Sequence, residues 1–266
     1  MDLSIFQVDA FAANVFAGNP AAICPLQKWL EDDVMQAIAA ENNLSETAFF
    51  VREGDDYGLR WFTPQCEVDL CGHATLASGF VFLNILEPKS ASVRFKTRSG
   101  ILTVNRDGDL ISMDFPSLPP WKCENPPIQL AQGLPVANGS TGPTAVFQTN
   151  GKYLVIYEEE EQIRNAAPNF EILKKLHPLG VCITAPGERS DFVSRYFVPS
   201  FGIPEDPVTG STHSSLVPYW SVRLNKSKFH ARQLSKREGD LWCELKGERV
   251  ILKGKAVLYL TGTISI

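Results

Sequence analysis

Three ionisable side chains in this sequence stand where proton chemistry is done: Glu46 in "NNLSETAFFV", His73 in "DLCGHATLASG" and Asp206 in "GIPEDPVTGSTHSS". Glu46 occupies a polar break between the helical "DDVMQAIAAE" and the strand-like "TAFFV". Among Leu44, Phe49 and Phe50, burial favours the neutral carboxyl, the state a general acid needs near neutral pH. His73 follows Gly72 at the head of a stretch of small and apolar residues, so it falls in the first turn of a helix, while Asp206 precedes a second such stretch by a few residues. The two are expected at comparable places. Each also has a plain structural reading: a glutamate after a helix is commonly a solvated cap, a histidine at a helix start commonly makes a structural hydrogen bond, and an aspartate before Pro207 starts a turn. His177, His213 and His230 are read as structural.

The elements that must carry these residues come in two similar sets. "LRWFTPQCEVDLCGHATLASGFVF" is echoed by "SRYFVPSFGIPEDPVTGSTHSSLVPYW"; Arg60 to Pro64 matches Arg195 to Pro199, an acidic linker follows, then Gly72 or Gly210 opens the small-residue stretch. That is strand, loop, helix, twice. Alternating segments around turn signals follow each unit and read as hairpins. Leu30, Val34 and Ile38 recur at helical spacing before the first unit, and Ile172, Leu173 and Leu176 before the second. The fold class is therefore α+β in two related halves, assigned to 1–117 and 118–256, with the final strand 257–266 a candidate to join the first half. The seam falls in the proline-rich "FPSLPPWKCENPP". A ligand is expected in a cleft where the two helix starts face each other. The amides opening a helix at Gly72, and at Gly210 with the Ser211 hydroxyl, suit a carboxylate.

Composition sets outer limits. A formal charge of −5 in 266 residues offers no basic drive toward nucleic acid or anionic lipid. Six cysteines without a C-x-x-C pair read as free thiols in a reducing compartment, and the amino-terminal stretch lacks the basic segment of a secretory signal, so the expected location is the cytoplasm. The uncharged run Leu70 to Leu86 approaches spanning length, but its His73, Asn84 and small residues read as a buried helix. No G-x-S-x-G, G-x-G-x-x-G, G-K-[ST] or H-E-x-x-H pattern is present, and neither a metal nor a cofactor is expected.

"DAFAANVFAGNPAAIC", "NLSETAFF", "GLRWFTPQCEVDLCGHATLASG" and "EDPVTGSTHSSLVPYW" resemble the PhzF family of phenazine-biosynthesis-like isomerases, in order and over nearly the whole chain. The resemblance implies a diaminopimelate-epimerase-like fold, each lobe wrapping a mostly antiparallel sheet around a central helix. It implies catalytic roles for Glu46, as general acid/base, and for His73 and Asp206, with Gly72, Gly210 and Ser211 holding a substrate carboxylate. The implied reaction moves a proton at carbon in a small carboxylic acid, without cofactor, in a homodimer. Relatives of the same fold that racemise or epimerise use a cysteine from each lobe; Cys71 tempts that reading, but "DPVTGS" offers no second thiol. "GSTHSS" departs from many relatives, and Thr212 and His213 are expected to reshape the pocket. The alternative reading is a protein-interaction scaffold retaining the isomerase fold. Three converging ionisable groups favour the enzyme.

Overall fold

A computed structural model describes residues 1–135 and 141–266, which divide into two compact units, Met1–Phe115 with Ile251–Ile266 and Pro116–Val250. In the first unit, β1 (Asp2–Ala10) pairs antiparallel with β2 (Asn19–Leu26) on one side and with the chain's last strand, Ala256–Ser265, on the other. β2 runs parallel to β3 (Glu46–Glu53), a geometry no tight turn can close, and α1 (Asp32–Asn42) makes the crossover. Met35, Ile38 and Ala39 bury its inner face, whereas Leu30 and Val34 are half-buried at and before its first turn. Asn43 ends it in the left-handed conformation, which asparagine tolerates, and the chain enters β3 at Glu46.

β4 (Asp56–Phe62) returns antiparallel to β3 and pairs with the two-residue β5 (Glu67–Val68). There follows α2 (Gly72–Val81), buried at every residue except Phe80 and continued by one wider π-helical turn over Phe82–Leu86. A helix apolar or small all round belongs inside, and α2 packs against β1, β2, β3 and the last strand. β6 (Ser92–Thr97), β7 (Gly100–Asp107) and β8 (Leu110–Pro116) complete the unit as the expected antiparallel hairpins. Gly79 of α2 lets β7 approach, since a Cβ there would lie 2.4 Å from Val104 Cγ1. Among the described residues no helix is long and apolar enough to cross a membrane.

In chain order, the second unit runs β9 (Trp121–Lys122), α3 (Ile128–Gly133), β10 (Ala145–Gln148), β11 (Lys152–Ile156), α4 (Glu160–Arg164), α5 (Phe170–Leu173) and β12 (Gly180–Pro186). It continues with β13 (Phe192–Val198), β14 (Ile203–Asp206), α6 (Gly210–Leu224), β15 (Lys228–Gln233) and β16 (Gly239–Lys246). Val155, Val181, Ile183, Val193 and Phe197 cover one face of its strands against Leu130, Ile163 and Leu173 of α3–α5. The opposite face meets α6 through Phe192, Trp220 and His213, with Phe192 and Trp220 stacked 5.6 Å apart. α6 contains Pro218, which has no N–H to give Ser214; the Leu118 amide takes that carbonyl instead at 2.9 Å.

Strand registers make the internal repeat explicit. β2–β3–β4–β5–α2–β6 and β11–β12–β13–β14–α6–β15 share one sequence of parallel, antiparallel, antiparallel and parallel pairings. Phe62 faces Glu67 as Phe197 faces Glu205, and the helix begins five residues after each glutamate. In both, the arginine two residues before the phenylalanine binds that glutamate through two hydrogen bonds: Arg60 to Glu67 at 2.7 and 2.7 Å, Arg195 to Glu205 at 2.7 and 2.9 Å. The "R-aromatic-F" echo is therefore the strand half of a bidentate clamp that fixes the strand entering each buried helix.

Candidate active site

Glu46 and His73 meet. Glu46 opens β3, His73 is the second residue of α2, and Nε2 of the ring lies 3.1 Å from Oε2 of the carboxylate, with the side chains 5% and 15% exposed for His73 and Glu46. The other ring nitrogen, Nδ1, lies 3.1 Å from the Asn19 amide nitrogen and 3.5 Å from Cys71 Sγ. A primary amide offers a donor and an acceptor, so Asn19 can serve Nδ1 in either protonation state, with Nε2 facing the Glu46 carboxylate. Burial opposes a charge on His73, but Cys71 and Glu46 act the other way, and the balance lies well above the ordinary histidine value. Cys71 is itself pushed up to about 11 by burial and by Glu46. It is a thiol near neutral pH, and the Glu46 carboxylate is the neighbour that then favours a proton on His73.

The apolar flank expected to set Glu46 serves the core instead, where Phe49 packs with Phe62 beneath α1, and the polar partner of the carboxylate is the imidazole. Glu46, Cys71 and His73 each offer a ligand atom within 4.8 Å of the others, so the trio could hold a transition-metal ion. Neutral-pH binding would require the metal to displace the thiol proton.

In the second unit, Asp206 closes β14 and its Oδ2 accepts the Thr209 hydroxyl at 2.5 Å. Gln233 of β15 braces both: its amide donates to the Asp206 carbonyl at 2.8 Å and its oxygen accepts the Thr209 N–H at 2.9 Å. The loop between β14 and α6 is thus held from three directions. Gly72 and Gly210 are buried first residues of their helices and have no positive φ, so any need for glycine there is spatial. Ser211, half-buried, follows Gly210.

The expected correspondence between His73 and Asp206 fails. Counting from the clamp glutamates, Cys71 matches Thr209, Gly72 matches Gly210, His73 matches Ser211, and Asp206 matches Val68. The Cys71 counterpart is a threonine, consistent with a site that does not work through two thiols. Thr212 and His213, expected to reshape a pocket, are fully buried in the second unit. His213 Nδ1 donates to the Thr209 carbonyl at 2.8 Å, and burial, above all, brings its pKa down to about 4. Asn19, Thr209 and Gln233 carry no functional signal in the residue pattern alone. "GNP" holds the one local hint for Asn19, with Gly18 at φ +65° turning the chain into β2 where an added Cβ would lie 2.1 Å from the Ala10 carbonyl oxygen.

A model of the PhzC–PhzF family, phenazine biosynthesis-like proteins, matches residues 8–262. A Pseudomonas aeruginosa protein described as an uncharacterized isomerase is 52% identical over the full length of both chains. Mouse phenazine biosynthesis-like domain-containing protein 1 is 39% identical, again over the whole of both. The crystal structure of a PhzF-family phenazine biosynthesis protein from Enterococcus faecalis superposes with a TM-score of 0.94 at 43% identity, each chain covered completely. The chain belongs to the PhzC–PhzF family of phenazine biosynthesis-like proteins.

Proposed function

We propose that the protein is a cofactor-independent isomerase that moves a proton at carbon in a small amino or hydroxy acid. The observation that carries this reading is the buried Glu46–His73 pair, 3.1 Å apart at the first turn of α2. A carboxylate poised against a proton-holding imidazole in a mostly desolvated corner is a general acid/base pair, whereas an interaction scaffold gains nothing from burying one. Glu46 takes the proton from carbon and returns one to carbon; His73 keeps Glu46 oriented and relays protons. Asp206, fixed by Thr209 and Gln233, is the group for an amine or hydroxyl, and the helix-start amides at Gly72, and at Gly210 with Ser211, each suit a carboxylate. Support also comes from the 52%-identical relative described as an isomerase.

The test incubates wild type and Glu46→Gln in heavy water with small amino and hydroxy acids, dihydro-hydroxyanthranilate included, and follows exchange at carbon by NMR. Glutamine keeps the shape and removes the titrating group. Exchange present in wild type and lost in the variant is the expected result. Exchange surviving in Glu46→Gln refutes the role of Glu46, and none with any compound favours the scaffold reading.

A further inference from the structure

The second unit places an ammonium at the corner where the first places its carboxylate. In the first unit Glu46 pairs in register with Ala21 across β2–β3, and its side chain reaches the second residue of α2. In the second, the register-equivalent pair is Gly180 with Lys152 across β12–β11, and Lys152 Nζ reaches the second residue of α6, donating to the Ser211 carbonyl at 3.1 Å. Gly180 keeps this corner open for Tyr196, since a Cβ there would lie 2.3 Å from the tyrosine oxygen. Lys152 Nζ sits 5.7 Å from the Tyr196 ring centre.

Lys152 is 7% exposed and, among the described residues, no carboxylate forms an ion pair with it. A buried cation with one carbonyl and one aromatic face is poorly compensated, and proteins keep such a group when something else supplies the missing charge. We infer that Lys152 is the binding residue for the anionic group of the ligand, pairing with a carboxylate delivered at the first turn of α6. The inference rests on the proposed acid substrate and adds to it the cation that holds the acid.

The surroundings make the pairing readable by pH. Burial brings the Lys152 ammonium down to about 8. The groups facing it do not titrate nearby: burial pushes Cys182 of β12 up to about 12, burial raises the Tyr196 phenol of β13 well above its usual range, and His213 of α6 stays neutral above about 4. Loss of anion binding between pH 7 and 9.5 is what a Lys152 pairing predicts, and the Lys152→Met variant separates it from loss of the His73 proton in the first unit.

The experiment titrates benzoate, with uncharged benzamide as control, into wild type, Lys152→Met and Glu46→Gln, measured by calorimetry and protein NMR at pH 7 and 9.5. Wild type and Glu46→Gln should bind benzoate at pH 7, and at least about tenfold more weakly at pH 9.5; Lys152→Met should match that loss already at pH 7, with benzamide unaffected throughout. Methionine fills the same space without a buried charge, so Lys152→Met should unfold at the same temperature as wild type or higher, which a purely structural lysine would not allow. Failure of Lys152→Met to fold would mark the lysine as structural and overturn the assignment. Benzoate binding unchanged in Lys152→Met, independent of pH, or absent from wild type overturns the assignment. Because Glu46→Gln is expected to bind normally, failure of proton exchange and failure of anion binding are read separately.

Discussion

The two arginine clamps occupy equivalent places, yet their removal should cost unequal amounts. Arg195 is 12% exposed; besides Glu205 it holds the carbonyls of Ala166 at 2.8 Å and Ile163 at 3.2 Å, where α4 ends. Glu205, 18% exposed, has no second cation among the described residues. Arg195→Met thus strands a mostly buried carboxylate and the Ala166 carbonyl, while Ile163 keeps the Ala166 amide at 3.4 Å, and breaking such a pair costs about 3–5 kcal/mol. Glu67, by contrast, also binds Arg98 at 2.6 Å, so Arg60→Met leaves it charged and partnered. The remaining loss, two charged hydrogen bonds to Glu67 partly replaced by Arg98 and water and a third to the exposed Asp32 at 2.8 Å, is about 1–2 kcal/mol. Each arginine lies 5.1 Å from the ring of its own clamp phenylalanine, so that contact cancels in the comparison. Urea denaturation followed by circular dichroism should show Arg195→Met losing about 2 kcal/mol or more beyond Arg60→Met, and Glu205→Gln should restore part of the loss in the Arg195→Met background. Equal losses, or a larger one for Arg60→Met, would refute the idea that a second cation decides the cost.

His213 supplies a pH-dependent prediction. Its folded pKa of about 4 lies below the ordinary 6.5, so the unfolded chain takes up a proton that the folded chain refuses. Stability is therefore lost as pH falls from 6.5 toward 4, by about 3 kcal/mol from this residue alone, and urea midpoints for His213→Gln should fall less over that window than those of wild type. Thiol labelling gives the other. Cys66 is exposed, while Cys24, Cys71 and Cys182 are buried, with burial pushing them up to about 12, 11 and 12. Iodoacetamide at about pH 7.5 should modify Cys66 first by mass spectrometry; labelling of Cys71 at the same rate would contradict its protonated, enclosed state.

Much of the fold could be read from residue pattern because it repeats. The "R-aromatic-F" echo, the glycine opening each small-residue helix and the hairpins after it are local signals, and the strand registers reproduce them. The pairing of Glu46 with His73 was accessible only through family motifs, since nothing in a one-dimensional pattern brings a strand start to a helix start. Asn19, Gln233 and Lys152 stayed hidden for the same reason: each acts across a strand pairing or a strand–helix contact, where register decides the neighbour. The comparison of His73 with Asp206 misled because both stand near a helix start. Only the pairing of Phe62 with Glu67 and of Phe197 with Glu205 fixes the offset that sets Asp206 opposite Val68.

Pro218 changes what α6 is. A helix normally closes its own ladder, but here one rung is open by construction, and the Leu118 amide, from the segment that follows β8, fills it. The helix is a lock whose last tumbler sits far away in sequence. Without that segment α6 would carry an unsatisfied carbonyl, so the helix and the segment stabilise each other. A residue usually counted as a breaker thereby acts as a fastener that ties α6 to the segment opening the second unit.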